Sequence, residues 1–392
     1  MNKPPILRDV TVKNFKAIRD SKRLKLTPLT VLIGNNGSGK SSLIEALETF
    51  HTFVTQDLDA AFQTWHGIEH IRNKTAGEQV RFSKKTGQQR LSKAISFRIT
   101  GHTGERPFKA ASVINERGNG NVLFVEHEEA KVGPITALRD EERTDIHSNS
   151  EQREQATVGP LEVAESLLGR VRYLGDYVRG WQFLSLWPAP MGQPRPQRRT
   201  LGHRALAKDG SNVAEYLLDI RHRDLPAFDG IIETLKYVLP YAADVQPDIT
   251  HELERTVYLQ LAERNFKLPG WLLSSGTLRV LALLAVLRHP EPPPLVLIEE
   301  VENGLDPRTI HLIVEEIQAT VQSGRSQVII TTHSPYLLDL LSLSSVVVCE
   351  REDGGEPVFH RPADDKELAS WAKSFGPGQL YTMSRLSRRA EK

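Results

Sequence analysis

The chain has 392 residues, 39% hydrophobic and 25% charged, enough for one large head domain with insertions or for two domains. A formal net charge of +1 argues against a wholly basic nucleic-acid binder and leaves room only for a local basic patch. The single cysteine, Cys349, cannot form an internal disulfide, no Cys/His cluster has zinc spacing, and no apolar run reaches the roughly 18 residues needed to span a membrane.

The start, Met1-Asn2-Lys3-Pro4-Pro5, lacks the apolar core of a signal peptide, so the expected compartment is the cytoplasm. Residues 8–18 alternate as a strand, with Val10, Val12 and Phe15 set among polar neighbours. A second strand is expected at Leu29–Ile33, then a Gly-rich loop, then a helix over about 40–50. Short strands are expected at Ala94–Ile99 and Asn121–Val125. Arg139–Gln155, highly charged and poor in apolar residues, reads as a mobile loop, and Pro188–Arg199 as an extended surface loop. Helices follow at about 211–220, with Ser211 as cap, and at 228–238, then a strand at 256–261. The last block alternates helix and strand: helices near 277–288, 308–322 and 335–341, strands at 295–298, 327–331 and 346–350. That alternation implies a parallel sheet with crossovers. Val346-Val347-Val348-Cys349 reads as a buried strand, which makes the thiol structural. No internal repeat and no sustained heptad stretch is visible.

Gly34-Asn35-Asn36-Gly37-Ser38-Gly39-Lys40-Ser41 fits the phosphate-loop pattern G-x-x-x-x-G-K-[ST]. Glycines let backbone N–H groups wrap a phosphate chain, the lysine reaches the outer phosphates, the serine hydroxyl suits Mg²⁺, and the following helix adds its positive end. Average composition would produce this pattern by chance in roughly one chain in a hundred of this length. Its position between a strand and a helix makes a ligand-free Gly-rich turn the poorer reading.

Leu295-Val296-Leu297-Ile298-Glu299-Glu300 is an apolar strand ending in two carboxylates, where ligands of parallel sheets bind. Glu299 suits Mg²⁺, and Glu300 suits orienting or deprotonating an attacking water. Leu272-Leu273-Ser274-Ser275-Gly276-Thr277 precedes a helix, and Ser274 reads either as an ordinary cap or as a phosphate contact. His333, in Thr331-Thr332-His333-Ser334-Pro335, reads either as a strand-end histidine held by backbone or as a contact to a γ-phosphate or the attacking water.

Together and in this order, these segments resemble the ABC-type ATPases of the SMC/RecF/OLD group, with residues 8–50 and 266–342 carrying the match. The resemblance implies an α/β P-loop NTPase fold, the ABC-ATPase head: a mostly parallel core sheet, an antiparallel β subdomain and a mixed, partly helical insertion. The expected division is an amino-terminal lobe at 1–65, an insertion at 66–265 and a carboxyl-terminal lobe at 266–392. Asn35, Asn36, Gly37, Ser38, Gly39, Lys40, Ser41 and Ser42 match the Walker A loop, Ser274, Ser275 and Gly276 the signature motif, Glu299 and Glu300 the Walker B pair, Asp306 the D-loop and His333 the switch histidine. The implied ligands are ATP and Mg²⁺, with Lys40, Glu300 and His333 as catalytic groups and Ser41 and Glu299 as metal ligands. The form I-E-E-x-E-N-G-L-x-P followed by T-T-H-S-P is similar to OLD-like ATPases in particular. Glu299 stands where the wider group has Asp, which lengthens the metal contact, and Val301 where many OLD-like relatives have Pro. Gln182 is the nearest candidate for the Q-loop glutamine. About 50 residues follow Ser342, too few for the TOPRIM nuclease domain of OLD nucleases.

In this group the signature of one head closes over the nucleotide of another, so the resemblance implies a homodimer or higher homo-oligomer joined through the ATP sites. It also implies an ATP-gated machine controlling a separate effector, a nuclease or toxin, in bacterial defence or DNA repair. A non-hydrolysing scaffold is the alternative; the middle insertion and the stretch Val12–Ile18 speak against a transporter subunit. Nucleic acid, if bound, would meet Arg72, Lys74, Arg81, Lys84, Lys85, Arg90 and Lys93, or Arg195, Arg198 and Arg199, residues for which a solvated, mixed-charge surface is the better reading. The tail residues Arg385, Arg388 and Arg389 read as a disordered end.

Overall fold

Apolar alternation begins the chain and builds its first strand, β1 (Ile6–Phe15), in a computed structural model that describes residues 4–75, 78–83, 87–117, 122–140, 143–148, 161–197, 205–250, 255–263, 266–351, 355–372 and 374–387. Leu7, Val10, Val12 and Phe15 are buried, and a register shift between Leu7 and Asp9 changes the phase of the alternation. β2 (Ile18–Asp20) and β3 (Leu24–Lys25) pair antiparallel with β1. β4 (Leu29–Ile33) leads into the phosphate loop and the helix α1 (Lys40–Thr55). Leu43, Leu47, Phe50 and Val54, spaced by four, three and four, bury one face of α1. Phe50 packs its ring 5.6 Å from Phe97 and 6.2 Å from Trp181.

A hairpin, β5 (Glu78–Ser83) with β6 (Gly87–Ser92), precedes an antiparallel meander. It runs through β7 (Ile95–Thr103), β8 (Arg106–Arg117), β9 (Val122–Val132), β10 (Ile135–Asp140) and β11 (Arg143–Ser148), and β7 pairs with β1 to extend the sheet. Part of the expected loop over 139–155 is therefore strand; residues 141–142 and 149–155 lie outside the described residues. The reason is a buried charge. Arg139 lies 3.7 Å from the fully buried Glu128 and donates to the carbonyls of Val163 and Glu165. Glu128 also accepts from Ser166 and the Leu167 amide, so an ion pair is stitched inside the fold with its oxygens satisfied. Composition alone reads such charges as solvated.

The chain divides into two compact units. The first comprises 1–181, 343–371 and 384–392, the second 182–342 and 372–383. β12 (Trp181–Leu184) opens at the last residue of the first unit's leading segment; in the second unit it is followed by a short helix at Pro188–Met191 and by β13 (Arg195–Pro196), where an extended loop was expected. β14 (Asp244–Ile249), β15 (Thr256–Ala262) and β16 (Lys267–Pro269) complete a small antiparallel sheet with β13. The helices α2 (Val213–Arg223) and α3 (Leu225–Val238) lie between. Ser211 is not the cap of α2; its hydroxyl accepts from Arg195, and Asn212 holds the cap position. Next comes α4 (Ser275–Leu287), apolar on nearly every side and buried from Thr277 to Leu287 except at Arg279. β17 (Leu295–Ile298) and β18 (Gln327–Thr332) pair in parallel, crossed over by α5 (Pro307–Gln322), and α6 (Pro335–Asp339) follows. The chain returns to the first unit with β19 (Val346–Arg351), parallel to β4, and β20 (Pro357–His360), antiparallel to β19. No helix among the described residues is long and apolar enough to cross a membrane.

Candidate functional site

The loop after β4 curls tightly because glycines stand where a side chain has no room. A Cβ on Gly34 would come 2.0 Å from the Cys349 carbonyl oxygen, so β19 needs a bare backbone there. Gly39 has φ 101° and a Cβ there would meet Pro357 at 2.8 Å. Lys40 is buried, and its Nζ donates to the carbonyls of Gly34 at 2.6 Å and Asn35 at 3.1 Å. The Ser38 hydroxyl is buried without a hydrogen-bond partner among the described residues. The first turn of α1 carries no acidic residue and no side-chain cap, which leaves its amide donors to an anion. A phosphate oxygen would satisfy Ser38 and those amides at once, so the residues fit a phosphate chain. Asn35, Asn36, Gly37 and Ser41 are exposed and Ser42 is half-buried.

Sequence reasoning missed Arg351. At the end of β19 it donates from Nε to the Gly37 carbonyl at 2.6 Å and from Nη1 to the Gly355 carbonyl at 2.9 Å, holding the outer turn of the loop. Nothing near Arg351 in sequence marks it, because its partner is 314 residues away. Cys349 lies fully buried in β19, where burial pushes its thiol up to about 12, as expected for a structural residue.

In the second unit, β17 ends at Ile298 and the chain turns sharply. The Glu299 amide donates to the Leu184 carbonyl at 2.8 Å. Glu300 adopts a left-handed backbone, φ 47°, which costs a non-glycine residue roughly 1 kcal/mol or more. The strain is held by the Glu300 amide donating to Thr331 Oγ1 at 2.8 Å and by the Asn303 amide donating to the Glu300 carbonyl at 2.9 Å. The Glu300 side chain is half exposed, with Oε2 accepting from Asn303 Nδ2 at 3.3 Å and Oε1 lying 3.8 Å from His333 Nε2. His333 is held in turn by its amide, which donates to Glu302 Oε1 at 2.7 Å. Burial lowers the pKa of the Arg279 guanidinium, and the charge of Glu300 partly offsets that shift. A carboxylate beside an imidazole on a rigid turn is suited to orienting and deprotonating a water.

Ser274 and Ser275 are exposed at the start of α4. Ser274 does cap that helix, accepting from the Thr277 amide at 3.1 Å, and its hydroxyl shares a second hydrogen bond with Thr277 Oγ1 at 2.8 Å. A Cβ on Gly276 would lie 2.9 Å from the Gly304 carbonyl, so the start of α4 abuts the turn after Glu300. Asp306 caps α5, accepting from the amides of Arg308 and Thr309 and from Thr309 Oγ1, and the Thr309 hydroxyl in particular holds its carboxyl below its usual range. Gln182 is buried, its amide donating to the carbonyls of Phe183 and Leu206, and presents nothing at the surface.

Of the proposed nucleic-acid contacts, Arg72 is unsuited because it is buried and its guanidinium bonds to Glu116. Lys74 is exposed, with Nζ donating to the Glu69 carbonyl, Lys93 is half-buried, and Arg195 is exposed while bonded to Ser211. Lys84, Lys85, Arg198 and Arg199 lie outside the described residues, and nothing is described of the Arg81 and Arg90 side chains. In the tail, Arg385 is ordered over the Trp371 ring, 4.8 Å from its centroid, while Arg388 and Arg389 lie outside the described residues. No group of three or more His, Cys, Asp or Glu that could hold a metal occurs among the described residues.

Residues 29–339 match the family model described as "AAA domain, putative AbiEii toxin, Type IV TA system". No curated protein matches the chain. Among solved structures, it is similar to an SMC head bound to the C-winged helix domain of ScpA, with TM-score 0.54, 12% identity, and coverage of 91% of this chain and 97% of that one. It is also similar to the SMC head domain with an extended coiled coil bound to the C-terminal domain of ScpA, derived from Pyrococcus furiosus, with TM-score 0.52, 10% identity, and coverage of 94% and 100%. At such identities the likeness shows the fold, an ABC-ATPase head of the SMC type with mixed parallel and antiparallel sheets and helical insertions.

Proposed function

We propose, because the chain belongs to the AAA-domain family matched over residues 29–339, that it binds ATP and hydrolyses it in sites completed by a second copy of itself. The observation that carries the reading is the strained turn at Glu300, which holds a carboxylate 3.8 Å from His333. Strain of this kind persists where function requires it. Lys40 and the amides of 35–42 bind the phosphates. Glu300 takes the proton of the attacking water, and His333 steadies that water or the γ-phosphate. Ser41 and Glu299 are assigned to Mg²⁺, which supplies charge neutralisation on the phosphates. Ser274, Ser275 and Gly276 serve the nucleotide of the partner copy, and Asp306 supports that contact. A second protomer completes the cage of donors and excludes water, which strengthens each contact.

The shared site has a direct test. Lys40→Ala and Ser274→Arg chains should each be inactive alone. Mixed, they should recover part of the turnover, because the heterodimer contains one composite site with both halves intact. Demonstrated heterodimers with no recovered turnover would count against sites shared in this way.

The OLD-like form of the motifs supports a second layer. ATP-driven dimerisation is proposed to gate a separate effector, a nuclease or toxin, in bacterial anti-phage defence or DNA repair. The family description, which names a putative toxin of a type IV toxin–antitoxin system, supports a defence setting. The effector is proposed to dock on the insertion between 66 and 265. Co-purification from the native host should yield a second polypeptide that carries the toxic or nuclease activity. Metal-dependent cleavage by this chain alone, surviving Lys40→Ala, would overturn that division of labour.

A further inference from the structure

We infer that Glu302 is a positioning residue, one that makes the placement of His333 depend on the start of α4; the inference rests on the ATPase reading above. Glu302 Oε1 accepts from the His333 amide at 2.7 Å, a contact between residues 31 apart in sequence. It is a side-chain strut between the turn after β17 and the loop after β18. Its other oxygen, Oε2, is buried and has no hydrogen-bond partner among the described residues. Keeping a carboxylate there for one contact is costly, and fold stability alone would favour a smaller or apolar residue.

What Glu302 reaches explains its position. The turn 300–304 meets three things at once. Glu300 sits at its first residue, with Asn303 donating to the Glu300 carboxylate. Gly304 meets α4: its carbonyl leaves no room for a side chain on Gly276, and Arg279 and Ser275 lie within van der Waals contact of the space a Cβ on Gly304 would fill. Glu302, between them, holds the His333 amide. A shift of the signature-bearing end of α4 therefore moves Gly304, and Glu302 passes that movement to His333. The strut couples engagement of Ser274 and Ser275 to the geometry of the Glu300–His333 pair. Small displacements matter there, since an error of about 1 Å in a reacting group costs on the order of 100-fold in rate.

The test compares two substitutions. Glu302→Gln keeps an acceptor of the same shape for the His333 amide, and Glu302→Ala removes it. The alanine variant should lower kcat by about 10- to 100-fold while KM and the affinity for a non-hydrolysable ATP analogue stay unchanged. The glutamine variant should stay within about threefold of wild type, because a neutral acceptor can still hold the amide. Amide hydrogen exchange at His333 should quicken in the alanine variant only. Full turnover in Glu302→Ala overturns the inference, as does equal loss in both variants, or a loss of nucleotide binding in step with kcat. Full turnover in Glu302→Ala while Lys40→Ala is inactive sinks this inference alone. A wild-type chain that never hydrolyses ATP sinks the ATPase reading and this inference with it.

Discussion

Glu300→Gln will bind ATP about as tightly as the wild-type chain and hydrolyse it at least about 100-fold more slowly, the lower end of what a general base contributes. The amide has the size of the carboxylate and keeps an oxygen to accept from Asn303 Nδ2, so the turn should hold. The left-handed backbone at this position, φ 47°, is no worse for Gln than for Glu. What disappears is the ability to take a proton from water. With hydrolysis blocked and binding intact, ATP should hold the chain as a dimer or larger assembly that ADP does not support. Single-turnover kinetics and light scattering with each nucleotide measure the two halves of this expectation. Hydrolysis at the wild-type rate would move the base to another group, with His333 first in line.

The second large effect is at the phosphate loop. Lys40→Ala removes a charge-assisted contact of about 2–3 kcal/mol, which at 1.4 kcal/mol per factor of ten weakens ATP binding by roughly 30- to 100-fold and abolishes turnover. Lys40 also bonds to the Gly34 and Asn35 carbonyls, so its loss could act by distorting the loop. Lys40→Met, which keeps the apolar stem, separates the two causes. If the charge matters, both variants lose affinity alike and both melt within a few degrees of wild type. Unchanged turnover in either would remove this loop from the active site.

The motif-bearing junctions were legible because each one changes periodicity abruptly. An apolar strand stops, polar or glycine residues follow, and a helix begins, as at Ile33, Ile298 and Thr332. The structure places all three turns where that pattern predicts. Charge was misread wherever it lies inside. Arg139 and Arg72 belong to ion pairs with Glu128 and Glu116, and no local pattern tells a buried arginine from a solvated one. The proline- and arginine-rich stretch from 188 reads as loop by composition, yet Pro188 opens a helical turn and Arg195 pairs with Val257 in β15. Glu300 gave no warning of its left-handed backbone, since glycine or asparagine is the usual sign of one. Ser274 was ambiguous in sequence, and the structure shows it as a helix cap bonded to both the amide and the hydroxyl of Thr277.

The phosphate loop is not self-sufficient. It lies near the start of the chain, but its floor and brace come from the Val346–His360 hairpin: the Cys349 carbonyl under Gly34, Pro357 against Gly39, and Arg351 on Gly37. During synthesis the loop therefore waits, unbraced, while some three hundred further residues emerge. A fragment trimmed to the family match at 29–339 would carry every recognisable motif and still lack the strand on which the loop rests. The span that identifies the family is shorter than the span that shapes the loop.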